Sequence, residues 1–252
     1  MLLAPKRSAV YGPVCSRRLG RSLGINLLPP GRKMCTFDCL YCQYGWSDMA
    51  ALERLDAQPL PSVDSVLGEL EAALLQLAEP PAYLTFSGNG EPTLHPHFPA
   101  LVDGVIALRN RLCPGARTAI LSNSARVAWP AIRAALSRLD LRVMKLDAGD
   151  EVTFARVSRP GPGIRLAEVV DGLTSLRDVT LQSLFAGGPA GNAGASSVAA
   201  WLDAVVRIAP VGVQIYTLAR DTPSRLIEAL PAERLDAIAE AVRARGFPAQ
   251  AF

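Results

Sequence analysis

Tyr83-Leu-Thr-Phe-Ser87-Gly88-Asn89-Gly90-Glu91 is a short β-type apolar run that breaks into a glycine-rich turn ending on a carboxylate. Residues 100–111 then carry apolar side chains at three- and four-residue spacings, so a strand passes through a loop into an amphipathic helix. The same alternation recurs along the chain. Strands are predicted over residues 22–28, 82–87, 117–122, 141–147, 178–185 and 211–218, each followed by a helix, with the clearest helices at 63–78, 100–111 and 232–245. The last has Pro231 at its start and Gly246-Phe-Pro248 just past its end, the placement that helix termini favour. Strands that alternate with helices imply a parallel sheet, and six units fall short of a closed eightfold barrel. The expected fold is therefore α/β, a partial (β/α)6 TIM-like barrel.

The 252 residues are half hydrophobic and 19% charged, a globular composition in which 20 Gly and 20 Pro imply many short connections. No repeat or linker divides them, so residues 1–252 are expected to form one domain. The longest uncharged stretch, residues 179–202, is rich in Gly, Ala, Ser and Asn and unsuited to a membrane span. The N-terminal apolar run is too short for a signal peptide, and a cytoplasmic location away from membranes is expected. In that reducing compartment, clustered cysteines read as metal ligands or redox groups.

Three of the five cysteines are clustered in Lys33-Met-Cys35-Thr-Phe-Asp-Cys39-Leu-Tyr41-Cys42-Gln, a Cys-x3-Cys-x2-Cys triplet. Structural zinc takes four ligands, usually as two pairs, and Cys15, Cys113, His95 and His97 show no paired spacing to the triplet. Electron-carrying 4Fe–4S clusters also use four cysteines, so three would leave one iron open to a substrate or cofactor.

The triplet, with an aromatic before its last cysteine, resembles the signature of the radical S-adenosylmethionine (radical SAM) superfamily. Gly12-Pro-Val-Cys-Ser-Arg-Arg-Leu-Gly20 and Gly88-Asn-Gly-Glu-Pro-Thr-Leu-His-Pro96 are similar to the branch of iron–sulfur oxidoreductases related to wyosine-synthesising tRNA enzymes. The resemblance implies one 4Fe–4S cluster on Cys35, Cys39 and Cys42, reductive cleavage of S-adenosylmethionine, and a 5'-deoxyadenosyl radical that abstracts a substrate hydrogen. A one-electron reductant such as a flavodoxin or ferredoxin would be a partner. The archaeal wyosine enzymes carry further cysteines for a second cluster, and here only Cys15 and Cys113 remain.

The resemblance also places Tyr41 near the adenine, and core packing of the loop is the other reading of its side chain. Gly88, Asn89, Gly90 and Glu91 follow a strand end, the face on which parallel barrels bind ligands, and the matching family motif receives the methionyl ammonium. Ser122, Asn123 and Asp147 close the next two strands and are candidates for the cofactor's ribose and carboxylate. Ser and Asn also cap helices. Lys145 shares a strand face with Asp147, and Gln182 and Arg220 lie in or beyond the last two strands; these three are candidate substrate or carboxylate contacts. His95 and His97 flank Pro96 and read as structural hydrogen-bonding groups. Residues 187–197 form a small-residue loop that is either a lid or a flexible connection.

Residues 1–37 hold seven basic and no acidic residues, leaving −4 for the rest of a chain whose net charge is +3. Running directly into the triplet, this segment is expected to border the active-site opening. Arg17 and Arg18 are its candidate substrate contacts, and a tRNA base leads as substrate, beside a glycyl-radical partner protein or a small metabolite. A non-catalytic iron–sulfur or zinc module is the alternative of another class.

Overall fold

The computed structural model describes residues 2–16, 18–48, 52–55 and 58–252. One sheet of eight strands runs in chain order: β1 (Val10–Ser16), β2 (Gly20–Ile25), β3 (Tyr83–Phe86), β4 (Arg117–Ser122), β5 (Leu141–Lys145), β6 (Val179–Leu184), β7 (Gly212–Tyr216) and β8 (Ala249–Ala251). The first pair is antiparallel and every later pair parallel. Each of the six predicted strands is present, as β2 to β7. The count rises to eight because β1 and β8 escape pattern reading. Strand β1 contains Gly12 and Pro13, which weaken a strand signal and are tolerated at a sheet edge. Strand β8 is three residues long.

The strand predicted over 22–28 stops at Ile25, because the Asn26 amide donates to Leu28 O (2.9 Å) and turns the chain. The helices are α1 (Val63–Gln76), α2 (Phe98–Leu112), α3 (Pro130–Leu136), α4 (Glu151–Val157), α5 (Leu166–Thr174), α6 (Ala195–Ile208) and α7 (Ala232–Arg243). A parallel strand needs a crossover to return, and these helices supply it.

Alternation along the strands separates two environments. Leu23, Leu84, Phe86, Ile120, Leu181 and Ile215 face the helices and join one hydrophobic core. The opposite face is more polar. Ser22 and Thr85 share a 2.7 Å hydrogen bond there, Gln182 donates to Gln214 (2.9 Å), and Leu121, Val143, Gln182 and Gln214 enclose a cavity of about 40 Å³ with Arg18 and Leu19. Among the described residues no helix is long and apolar enough to cross a membrane.

Candidate active site

The three cysteines sit on a loop laid across the ends of the parallel strands. Main-chain pairing fixes it on both sides. Met34 N donates to Asn89 O (2.7 Å) and Glu91 N to Met34 O (3.0 Å), while Leu40 N donates to Val157 O (3.0 Å) and Gly161 N to Thr36 O (2.8 Å). Gly90 makes the first contact possible: at φ +140° it lies where a Cβ would meet Met34 O at 1.7 Å. Inside the loop the Lys33 ammonium is buried and donates to Phe37 O (3.2 Å), Asp38 Oδ1 (3.2 Å) and Gly45 O (2.8 Å). Burial works against that charge, but Cys35, Cys42, Cys39 and Asp38 around it hold its pKa above the ordinary lysine value.

All five cysteines are free thiols. Burial pushes Cys35 up to about 12, and burial with the nearby Asp147 raises Cys39 as well. A coordinating metal would deprotonate them outright. Among the described residues no three His, Cys, Asp or Glu side chains close on one point as a single shared ion requires.

The Gly88–Glu91 turn joins this loop to the barrel. Glu91 is buried, and its Oε1 accepts from Thr93 N (3.1 Å), Thr93 Oγ1 (2.6 Å) and Ser122 Oγ (2.9 Å), while Oε2 accepts from Asn123 N (2.6 Å). Burial raises its pKa, opposed by those hydrogen bonds. The Asn123 amide donates to Thr36 Oγ1 (2.8 Å) and, more weakly, to Cys35 Sγ (3.4 Å). Glu91, Ser122, Asn123 and Cys35 are therefore brought together as the sequence suggests.

Asn89 departs from expectation. Its side chain accepts from Lys6 N (2.6 Å) and donates to Lys6 O (2.8 Å) and Pro29 O (3.0 Å), so it ties the N-terminal stretch to the turn instead of facing the strand ends. Asp147 is also engaged within the protein. It accepts from the Tyr41 hydroxyl and from Leu184 N (2.8 Å), and pairs with Lys145 at 3.2 Å. Lys145 and Asp147 thus share a face as predicted. Burial opposes the Lys145 charge, but Asp147 and Tyr216 hold its pKa above the ordinary value. Its ammonium donates to the Tyr216 hydroxyl (2.6 Å) and lies 4.7 Å from the ring centroids of both Tyr41 and Tyr216.

Tyr216 escaped the sequence reading, although it stands two residues beyond Gln214 on the same strand face. Arg220 reaches over the loop to Gln43 Oε1 (3.4 Å).

The basic segment divides. Lys6, Arg7, Arg32 and Lys33 lie at the loop end of the sheet, where Lys6 Nζ stands 4.8 Å over the Tyr11 ring and the Tyr11 hydroxyl meets Ser87 Oγ at 2.7 Å. The β1–β2 turn lies at the other end, since Ser22 pairs with Tyr83 at the start of β3. Arg18 stands on that turn, yet its side chain reaches Tyr216, whose hydroxyl accepts from Lys145. Its guanidinium lies 4.8 Å over Tyr216 and 5.7 Å over Phe252. Arg17 lies outside the described residues.

His95 Nε2 meets Pro61 O at 2.9 Å and His97 N donates to His95 Nδ1 (3.2 Å), a structural arrangement. Residues 187–197 are tied to the strand ends at two points. Buried Asn192 accepts from Ala186 N (2.9 Å) and donates to Asp147 O (2.8 Å) and Leu184 O (2.7 Å), and Gly187 pairs with Glu228.

Fold and donor set together define a class, an α/β barrel protein with a three-thiol loop over its strand ends. Residues 33–190 match the model of the radical SAM superfamily, and the chain belongs to that superfamily. It is 36% identical over 151 residues to a UPF0026 protein of Helicobacter pylori, covering 60% of this chain and 46% of that one. To a UPF0026 protein of Methanocaldococcus jannaschii it is 34% identical over 172 residues, covering 67% of this chain and 49% of that one. The chain spans about half the length of these curated relatives. In fold it is similar to a radical SAM methyltransferase from Sphaerobacter thermophilus, with a TM-score of 0.67 at 15% identity over 92% of this chain and 65% of that one. It is also similar to TYW1 with a lysine–pyruvate adduct bound, with a TM-score of 0.57 at 13% identity over 89% of this chain and 73% of that one. The superfamily uses a 4Fe–4S cluster and S-adenosylmethionine, and three free thiols on one loop, with the Asn123 amide donating to Cys35 Sγ, are donors of the kind such a cluster takes.

Proposed function

We propose that residues 1–252 act as one radical SAM unit in which Cys35, Cys39 and Cys42 hold a single 4Fe–4S cluster at the strand ends. When bound and reduced, the cluster and S-adenosylmethionine would supply a 5'-deoxyadenosyl radical for hydrogen abstraction. The observation that carries this is the docking of the three-thiol loop, through main-chain bonds at Met34, onto the Gly88–Glu91 turn. Glu91 would receive the cofactor's ammonium: three donors crowd its Oε1, whereas Oε2 accepts one. Ser122 and Asn123 hold that carboxylate in place. Tyr41, fixed through Asp147, would shape the adenine side, and Gly88 and Gly90 would let the main chain approach the cofactor closely.

The substrate would meet Lys145, Tyr216 and Arg220 across the opening. Cations paired with aromatic faces, at Lys6 with Tyr11 and Lys145 with Tyr216, suit an anionic substrate with a planar ring. This favours a tRNA base, as in the wyosine branch, over a glycyl-radical partner protein or a small metabolite. A one-electron reductant, flavodoxin or ferredoxin, completes the cycle.

Anaerobic reconstitution with iron and sulfide counting, followed by assay of 5'-deoxyadenosine under reduction, tests the reading. Four irons per chain and nucleoside release are expected. A stable metal site with no nucleoside release would instead identify a non-catalytic iron–sulfur or zinc module.

A further inference from the structure

Lys33 precedes the first cysteine by two residues, and its side chain is 3% exposed. A charge so buried is costly unless paired and hydrogen-bonded. Its acceptors come from within the triplet and from beyond it: Phe37 O and Asp38 Oδ1 between Cys35 and Cys39, and Gly45 O after Cys42. Asp38 Oδ1 also accepts from Ser47 N (2.6 Å), so the loop winds round the ammonium and closes on the carboxylate. On the barrel side, Asn123 donates from its side chain to Cys35 Sγ (3.4 Å) and from its main chain to Glu91 Oε2 (2.6 Å), and the Tyr41 hydroxyl, two residues past Cys39, donates to Asp147. The thiol loop thus encloses one cation and meets two carboxylates on its barrel side.

Resting on the cluster assignment proposed above, we infer that Lys33 is a positioning residue with two tasks. It is the peg that shapes the thiol loop before metal arrives, and it is the counter-charge that makes the held cluster easier to reduce. A thiolate-held cluster becomes more negative when it takes up an electron, and local charge is one of the levers on its potential. Removing the cation should lower the potential, and removing the negative charge of Asp38 should raise it.

Full-length wild type, Lys33→Met and Asp38→Asn would be reconstituted anaerobically and titrated by electron paramagnetic resonance, with hydrogen exchange measured on the metal-free proteins. At the potential where wild type is half reduced, the ratio of reduced to oxidised cluster in Lys33→Met should be at least tenfold lower, 59 mV for one electron. Asp38→Asn should move the opposite way. In metal-free Lys33→Met, amides of residues 37–47 should exchange faster than in wild type. An unchanged potential in Lys33→Met, or shifts of the same sign in both variants, would overturn the counter-charge. Wild-type protection of 37–47 in metal-free Lys33→Met would overturn the peg, even if that variant took up no cluster. Failure of wild type itself to bind four irons would sink the cluster assignment instead, while the exchange experiment still decides the peg.

Discussion

Glu91 shows what one side chain must do at this site. It is buried, carries four donors and stands over the barrel mouth. Glu91→Gln removes the charge and turns an NH2 group toward Asn123 N–H or toward the Thr93 and Ser122 donors. Orphaning a buried donor costs about 1–3 kcal/mol, and losing a charge-assisted bond to an ammonium costs about 1.5–3 kcal/mol. The variant should melt earlier, keep its iron, and bind S-adenosylmethionine about tenfold to hundredfold more weakly by equilibrium dialysis. Full cluster content with wild-type affinity would remove Glu91 from the cofactor site. The cysteines divide as sharply. Cys35→Ala, Cys39→Ala and Cys42→Ala should each lose the four-iron cluster and nucleoside formation, whereas Cys15→Ala and Cys113→Ala should keep both. An intact, active cluster in any of the first three would show the ligand set to be wrong.

At the scale of elements, two connections hold the site rigid. The loop after β6 is pinned by Asn192, and Asn192→Ala would strand Ala186 N, Leu184 O and Asp147 O, each at about 1–3 kcal/mol where no water replaces the lost partner. A lower urea midpoint and faster exchange over residues 186–193 are expected; unchanged protection would mean that the main-chain ladder to Glu228 suffices. The turn before α2 is pinned by His95. With Nε2 donating to Pro61 O, Nδ1 must accept from His97 N, so protonation at Nδ1 sets two donors against each other. Burial lowers the His95 pKa from its ordinary value near 6.5. Above 6.5 the neutral ring contributes its full stability. As pH falls below 6.5 the unfolded chain binds the proton first, so stability declines until the folded pKa is passed. Melting temperature should fall from pH 6.5 to pH 5, and His95→Gln should flatten that limb. Identical pH profiles would place the acid sensitivity elsewhere.

Over the whole molecule, basic residues stand at both ends of the sheet, for different reasons. Lys6, Arg7 and Arg32 stand at the loop end, near the opening, while Arg18, on the β1–β2 turn, covers the Tyr216 ring and Arg21 pairs with Glu79 beside the start of β3. If a tRNA docks over the opening, its affinity should fall by about 0.7–0.9 log units per tenfold rise in salt for each neutralised phosphate. Replacing Lys6, Arg7 and Arg32 with Ala should reduce that slope, and replacing Arg18 and Arg21 should leave it alone. The reverse pattern, or binding indifferent to salt, would turn the substrate toward a protein or a small metabolite.

The parallel α/β architecture, the six central strands and the thiol loop could be read from the chain alone, because they follow from local periodicity and from spacing within eleven residues. The six predicted strands and the clustering of Glu91, Ser122 and Asn123 were legible because a residue just past a parallel strand is bound to stand on one known face. Only the tertiary structure decided which of those polar groups are already spent. Asn89 and Asp147 have the same composition of donors and acceptors whether they face a ligand or Lys6 and Tyr41. The choice depends on segments 83 and 106 residues away. The split of the basic segment was hidden for a similar reason: Gly12 and Pro13 mask an edge strand, and without that hairpin nothing in the order of charges shows that the chain crosses the sheet twice between Arg7 and Arg32. Lys33 was in plain view beside the cysteines, yet its burial became readable only once the loop had wound its carbonyls round it.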